Sequence, residues 1–293
     1  MLKQYTAGMK FLFFPVSLFI SLSVKTQYYY NDIIGVEETN LLMKTYLLNK
    51  VKFVNVTGYD SKGVKATDFS EFQEVKENGR LLKNSSINNF SKSVVYTRFD
   101  EKSRIISNTD SSAQMQGITN YSYDEKGRIN RVVNTVKDSA RAFDHTETHE
   151  WVYTSNGKPE KMWRILKTTG DENNVDSLEV RFITNEDGNI AEERTYKRGI
   201  ETSYLYYYYD DKNRLLDIVR FNTRLKKLLP DIMFEYDDKD NVAQKTTTTS
   251  SLHLVYLIWR YIYDEKGLKI KEVLFNNDKQ ITGRIDYNYS FGQ

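Results

Sequence analysis

The chain has 293 residues, with 22 Tyr and 15 Phe but only 3 Pro and no Cys. Its 42 basic and 40 acidic residues leave a formal charge of +2, without the clustered basic excess that a nucleic-acid surface needs, so nucleic acid is not an expected partner. The absence of cysteine excludes disulfides, a thiol nucleophile and a cysteine-acylated lipoprotein, and a chain of this length is able to bury a core without cross-links.

At the N-terminus, Lys3 and Lys10 precede an apolar run from Phe11 to Val24. At about 14 residues this run is shorter than the ~20 a spanning helix requires, and it has the form of a secretory signal peptide. Ser21-Leu22-Ser23 fits the small-x-small cleavage rule, and Thr26 and Gln27 mark alternative cleavage sites, so residues 1–27 are predicted to be an export signal. An uncleaved anchor is the alternative. Without Lys3, Lys10 and Lys25, 39 basic residues face 40 acidic ones, a balance of −1. The predicted destination is the periplasm, the cell surface or the medium, with no integral membrane segment after cleavage. Residues 28–293 are predicted to form a single domain, for want of any Pro/Gly-rich hinge. Within it, residues 36–50 read equally as a short helix capping the first repeat or as a strand.

From about residue 50 onward one phrase returns. It is Tyr123-Asp124-Glu125-Lys126-Gly127-Arg128, with Tyr263-Asp264-Glu265-Lys266-Gly267 nearly identical. Looser copies begin at Phe99, Tyr209 and Tyr236, and Tyr59-Asp60-Ser61-Lys62-Gly63 looks like a first copy. Degenerate copies run from Val75 to Leu81, from Tyr153 to Gly157 and from Phe182 to Ile190. Asp at the first position of a type I turn bonds the turn backbone, and Gly at the fourth supplies the left-handed conformation of a bulged hairpin. Asn213 and Asp240 replace that Gly, and both residue types tolerate the conformation. Each phrase is therefore predicted to be a hairpin tip. Tyr123 should face Ile129, Phe99 should face Ile105, Tyr209 should face Leu215 and Tyr236 should face Val242. Tyr121, Trp151, Tyr207, Phe234 and Tyr261 lie two residues back, on the same face. The expected fold is all-β: an antiparallel meander of repeated hairpins in a curved or spiral sheet, with one face an aromatic and aliphatic ladder. The polar segments 107–118, 136–148 and 168–178 are expected as loops at the far ends of the hairpins, and Thr246–Thr249 as strand.

The pattern Tyr-x-Tyr-Asp-x-x-Gly-Arg followed by an aliphatic, as in Tyr121 to Ile129, resembles the YD repeat of Rhs-type secreted bacterial proteins. The resemblance covers roughly residues 55–285. In that family the repeats form a long winding antiparallel sheet, sometimes a shell around a toxin. The resemblance implies the hairpin meander. It does not imply the shell, because the chain has neither a toxin domain nor a cleavage motif and is too short to enclose one.

Chemistry-bearing residues are few. His145, Glu147 and His149 would share one face of a strand and are candidate metal ligands, although the order is not the His-Glu-x-x-His of helical metalloproteases. A solvated strand is the plainer reading. His253 lies in an apolar stretch and reads as packed. Acidic turns such as Asp237–Asn241 lack the calcium-loop pattern, and turn geometry already accounts for their Asp. The Gly-x-Ser-x-Gly and phosphate-loop motifs are absent, no cofactor is expected, and no carboxylate pair stands out. In Tyr204-Leu205-Tyr206-Tyr207-Tyr208-Tyr209, neighbouring rings must point to opposite faces, so Tyr206 and Tyr208 leave the core face and mark a candidate binding surface. Trp151 and Trp163 are further candidates. The expected function is a non-catalytic binding or scaffold role at the bacterial envelope, with protein or glycan as partner. Alternatives are an envelope hydrolase acting on glycan through an unrecognised carboxylate site, and an outer-membrane β-barrel.

Overall fold

A computed structural model describes residues 28–88, 91–111, 115–138, 144–168, 175–222, 225–248 and 255–292. The predicted export signal and His253 lie outside the described residues. One helix, α1 (Asn31–Leu48), comes first. Strands β1 (Val51–Asp60), β2 (Lys65–Lys76), β3 (Leu81–Asn88), β4 (Lys92–Phe99), β5 (Ile105–Ser111), β6 (Met115–Tyr123), β7 (Ile129–Asp138), β8 (Asp144–Tyr153) and β9 (Pro159–Thr168) follow. The second half adds β10 (Val175–Thr184), β11 (Ile190–Lys197), β12 (Ile200–Tyr209), β13 (Leu215–Asn222), β14 (Lys227–Tyr236), β15 (Val242–Thr248), β16 (Tyr256–Tyr263), β17 (Lys269–Phe275) and β18 (Ile281–Phe291).

Each strand pairs antiparallel with the next, and β18 pairs with β1, from Val51 opposite Phe291 to Asp60 opposite Gly283. The meander therefore does not wind into a spiral sheet. It closes into an 18-stranded barrel, which leaves no exposed sheet edge. Of the segments expected as far-end loops, the described parts are strand, in β5 to β10, and residues 112–114, 139–143 and 169–174 lie outside the described residues. Their polar residues read as loop because in a closed wall both faces take polar side chains at some depths.

The phrase is the hairpin tip in each well-matched copy. Tyr123 faces Ile129, Phe99 faces Ile105, Tyr209 faces Leu215 and Tyr236 faces Val242, each beside a register shift. In the Asp124 turn, Gly127 N–H donates to Asp124 O and Asp124 N–H to Arg128 O, both at 2.9 Å, and Gly127 adopts φ +80°. Asp124 Oδ1 accepts from the Lys126 and Arg128 amides at 3.0 and 2.9 Å, and Oδ2 accepts from Arg128 Nε at 2.7 Å. Ser103, Asn213 and Asp240 hold the same left-handed position with φ of 58–64°.

The tyrosine of the phrase also joins one hairpin to the one before. Tyr123 Oη donates to Ile105 O at 2.7 Å, Tyr153 Oη to Ile129 O at 2.6 Å and Tyr236 Oη to Leu215 O at 2.8 Å. The preceding tip's arginine lies over the same ring: Arg104 over Tyr123 at 4.4 Å, Arg128 over Tyr153 at 4.2 Å and Arg214 over Tyr236 at 4.5 Å. A cation over a ring face is attractive, so these three tips are each tied to the one before by a hydrogen bond and a cation–π contact.

All turns that follow even-numbered strands lie at one end of the barrel, called here the tip end. The Tyr59–Gly63 turn joins β1 to β2 and so sits at the opposite, far end, although it resembles the phrase. The turn after Val75 is a 3₁₀ turn, Glu77–Gly79, with Lys76 directly facing Leu81.

A ring of this many strands encloses more space than its own side chains fill. α1 occupies that space, which decides residues 36–50 in favour of helix. Its Val36, Thr39, Met43 and Tyr46 are buried, at helical spacing. They join a core made of inward Trp151, Met162, Val180, Phe182, Tyr207 and Ile218. At one end of α1, the Tyr29 and Tyr30 amides donate to the Glu193 carboxylate on β11, both at 3.0 Å. At the other, Tyr46 Oη donates to Gln73 Oε1 on β2 at 2.8 Å. Between them, Asn40 Oδ1 accepts the Ile105 amide at 2.8 Å. The helix thus bridges the lumen from one wall to the opposite one.

Candidate functional site

Strand parity puts Tyr204, Tyr206 and Tyr208 of β12 on the outer wall while Leu205 and Tyr207 are buried inside. Tyr206 faces Glu192 on β11 and Val219 on β13, and Tyr208 faces Asp217. Tyr204 stacks on Phe221 at 5.4 Å and meets Tyr206 edge-on at 5.6 Å, which fixes the ring row. Tyr208 is 46 % exposed. The tyrosines open onto a cleft of about 520 Å³, bounded by Glu192 and by Asp187, Asp211 and Asn213 of two neighbouring tips. Those tips are bridged by Asn189 Nδ2 donating to Asn213 Oδ1 at 2.8 Å. Burial and the Glu192 carboxylate both push the Tyr206 phenol upward, so it is a hydroxyl donor at neutral pH. The cleft combines flat ring faces with carboxylate and amide acceptors. That combination suits a ligand with C–H faces and hydroxyl donors.

The other sequence candidates do not join this cleft. Trp163 is on the outer wall, 37 % exposed, between Glu150 and Glu179 on β8 and β10. Trp151 points inward and is buried. It stacks on Phe182 at 5.0 Å, and its Nε1 donates to Asp32 of α1 at 3.1 Å. A ring spent on core packing and on the helix is not a ligand surface.

The His145, Glu147 and His149 row also faces inward, but not as a metal site. His149 is buried, with Nδ1 at 2.7 Å from Asp32 Oδ2 and Nε2 at 2.9 Å from Glu147 Oε1. Burial alone would lower its pKa, but Asp32 and Glu147 push it up to about 10. Both ring nitrogens therefore carry protons, and no lone pair is left for a metal. Burial would raise Glu147, but His149 and Arg164 pull it down to about 2, with Arg164 Nη2 at 2.6 Å. Among the described residues no group of three His, Cys, Asp or Glu side chains is placed to hold a metal ion.

Sequence reading missed two residues, Asp32 and Glu193, that fasten α1 inside the barrel. Glu193 accepts from Tyr207 Oη at 2.7 Å as well as from the two amides, and burial raises its pKa. In sequence Glu193 stands between Glu192 and Arg194, and its apolar neighbours Phe182 and Leu205 meet it only across strands, so nothing local marks it as buried.

No family profile matches this sequence, and no curated protein matches it either. Solved structures do. A porin-like protein from Bacteroides uniformis is 8 % identical, with a TM-score of 0.41 over 82 % of this chain and 98 % of that one. A porin-like protein from Bacteroides vulgatus is 12 % identical, with a TM-score of 0.30 and the same coverages. The Photorhabdus luminescens Tc holotoxin pore is 10 % identical, with a TM-score of 0.30 over 76 % of this chain, which spans only 16 % of the toxin chain.

Proposed function

We propose that this chain is an exported, non-catalytic binding protein of the bacterial envelope, and that its outer tyrosine cleft takes a glycan. The observation that carries the reading is the row of outward rings at Tyr206 and Tyr208 beside Glu192, Asp187 and Asn213. Sugar rings stack their C–H faces on aromatics while their hydroxyls donate to carboxylates and amides. The apolar run after Lys10 supports export, and the Tyr121–Ile129 pattern supports kinship with YD-repeat proteins. A glycan array probed with the processed chain is the test. Tyr206→Ala and Tyr208→Ala together should lower affinity at least tenfold, with the thermal melt within a few degrees of the parent. Equal array profiles for parent and double variant would remove the cleft from the reading, and turnover of any bound glycan would favour the hydrolase.

Barrel closure favours a second reading, an outer-membrane barrel. Against it stand charged ladders on the outer wall: Arg131 with Glu150 at 3.6 Å, Arg181 with Glu179 at 2.9 Å and Arg194 with Glu192 at 2.6 Å. Charges at mid-strand on a lipid face are costly. Among the described residues no helix is long and apolar enough to cross a membrane, a fact that does not bear on strands. Release from cell fractions without detergent is the expected result.

A further inference from the structure

A second cavity lies at the tip end, between the N-terminal half of α1 and the ends of four consecutive hairpins. Its volume is about 290 Å³, at the small end of the range for ligand cavities. Ile33 and Val36 of α1 line it from one side, and Ile129 and Ile190 of the wall from the other. Three cations from successive tips, Arg104, Arg128 and Lys158, line it together with Gly127, Gly157 and Gly188.

The glycines and the cations belong together. The three glycines hold φ of +79° to +83°, and each meets the cation of the tip before it. A Cβ on Gly127 would stand 3.2 Å from Arg104 Nη1, one on Gly157 3.2 Å from Arg128 Nη1 and one on Gly188 3.0 Å from Lys158 Nζ. Arg128 is fixed in place. Asp124 Oδ2 accepts from its Nε at 2.7 Å and its Nη2 at 2.5 Å, and the Tyr153 ring lies under the guanidinium at 4.2 Å. The remaining nitrogen, Nη1, is buried and has no hydrogen-bond partner among the described residues. A buried charged donor without a partner is costly. Glu37 is the acid that lines this cavity, and its carboxyl is raised by burial and by Glu38, with no cation drawing it down.

Arg214 shows what completes such a donor. Asp210 Oδ2 accepts from its Nε at 2.7 Å and its Nη2 at 2.6 Å, and the Tyr236 ring lies under it at 4.5 Å. There the next tip carries Asp240 in place of glycine, and Asp240 Oδ1 accepts from Arg214 Nη1 at 2.6 Å. At Arg128 the next tip offers Gly157, which has no side chain to give. Lys158 has no acid in its own turn either, because Thr154 stands where Asp124 stands in the turn before. We infer that the tip-end cavity binds a small organic acid, with its carboxylate accepting from Arg128 Nη1 as Asp240 does from Arg214, Lys158 supplying net charge, and its apolar body against Ile33, Val36 and Ile190. Charge-assisted bonds from a guanidinium to a carboxylate are short and directional, so they fix the head group.

The test is isothermal titration calorimetry of the processed chain at pH 7 with benzoate and hexanoate, and with benzamide as the neutral counterpart. Saturable binding of at least one carboxylate is expected, about tenfold or more tighter than benzamide. Gly157→Asp supplies a carboxylate from the chain itself, in the way Asp240 does, and should remove the binding. Gly267→Asp makes the same change at φ +74°, with nothing within 4 Å of its Cβ, and should bind like the parent. Lys158→Gln alters an exposed side chain and should weaken the carboxylate about two- to fivefold with an unchanged circular dichroism melt, which keeps the test open if Gly157→Asp does not fold. Tyr206→Ala with Tyr208→Ala on the outer wall should have no effect, so this cavity and the tyrosine cleft stand or fall separately. No saturation by either carboxylate, equal binding of benzamide, equal loss in Gly267→Asp, or an affinity unchanged by both Gly157→Asp and Lys158→Gln would each overturn the inference.

Discussion

His149 shows what a single buried residue does in this barrel. It is a cation between two carboxylates, one on its own strand and one, Asp32, on α1. A histidine raised from 6.5 to about 10 adds stability that is complete below pH 6.5 and is lost as pH rises through 10. Its partner Glu147, lowered from 4.5 to about 2, adds stability that is complete above pH 4.5 and is lost as pH falls through 2. The pair therefore contributes fully only between pH 4.5 and 6.5. His149→Gln removes the cation facing Asp32 and leaves Glu147 with Arg164 alone, and it should cost about 3–5 kcal/mol at pH 6. Urea melts at pH 6 and pH 9.5 should show the parent losing more stability over this interval than the variant. Equal losses would mean that His149 is neutral in the fold. The shared parity of His145, Glu147 and His149 is legible in the sequence, and that parity is what points to a metal. It held no trace of Asp32, 117 residues earlier, which takes the nitrogen that a metal would need. The hairpin tips were legible because Asp124, Gly127 and Arg128 make their bonds within one turn. The bond from Tyr123 back to Ile105 was not, because it joins separate repeats.

At the scale of the element, α1 is the part whose identity the sequence left open. Leu41, Leu42, Leu47 and Leu48 spread apolar side chains around the helix, so no clean stripe separates it from a strand. The structure explains the spread. Met43 is fully buried against the lumen, whereas Leu41 is 65 % exposed on the opposite side. A plug has a face that meets the barrel and a face that looks out of it, and the outward face is not held to the core pattern. Met43→Ala should cost about 2–5 kcal/mol through lost contact and a cavity. Leu41→Ala should change stability by no more than about 0.5 kcal/mol. Equilibrium urea unfolding of the two variants separates a helix packed in the lumen, which gives this asymmetry, from one docked loosely outside, which gives similar small effects.

For the whole molecule, closure of the ring decides the architecture. Neighbouring strands find each other through short turns, so a meander follows from local sequence alone. The β1–β18 pair has no such guide, because it joins the two ends of the sheet, and this is why the sequence supports a spiral as readily as a barrel. What the ring adds is the disposal of two edges and an enclosed lumen in which α1 is held by both walls. The chain has no cysteine, so closure is open to a clean cross-linking test. Asn55 and Asn288 are opposite each other across the seam, and both are exposed. Residues facing each other in an antiparallel pair have Cα atoms about 4.5–5.5 Å apart, within disulfide range. Asn55→Cys with Asn288→Cys should oxidise within one chain, migrate faster on a non-reducing gel and gain about 2–4 kcal/mol over the reduced form. An open spiral would hold these positions apart, so the same variant would stay reduced or cross-link only between molecules. The seam thus separates a barrel that confines its helix from a sheet that merely curves past it.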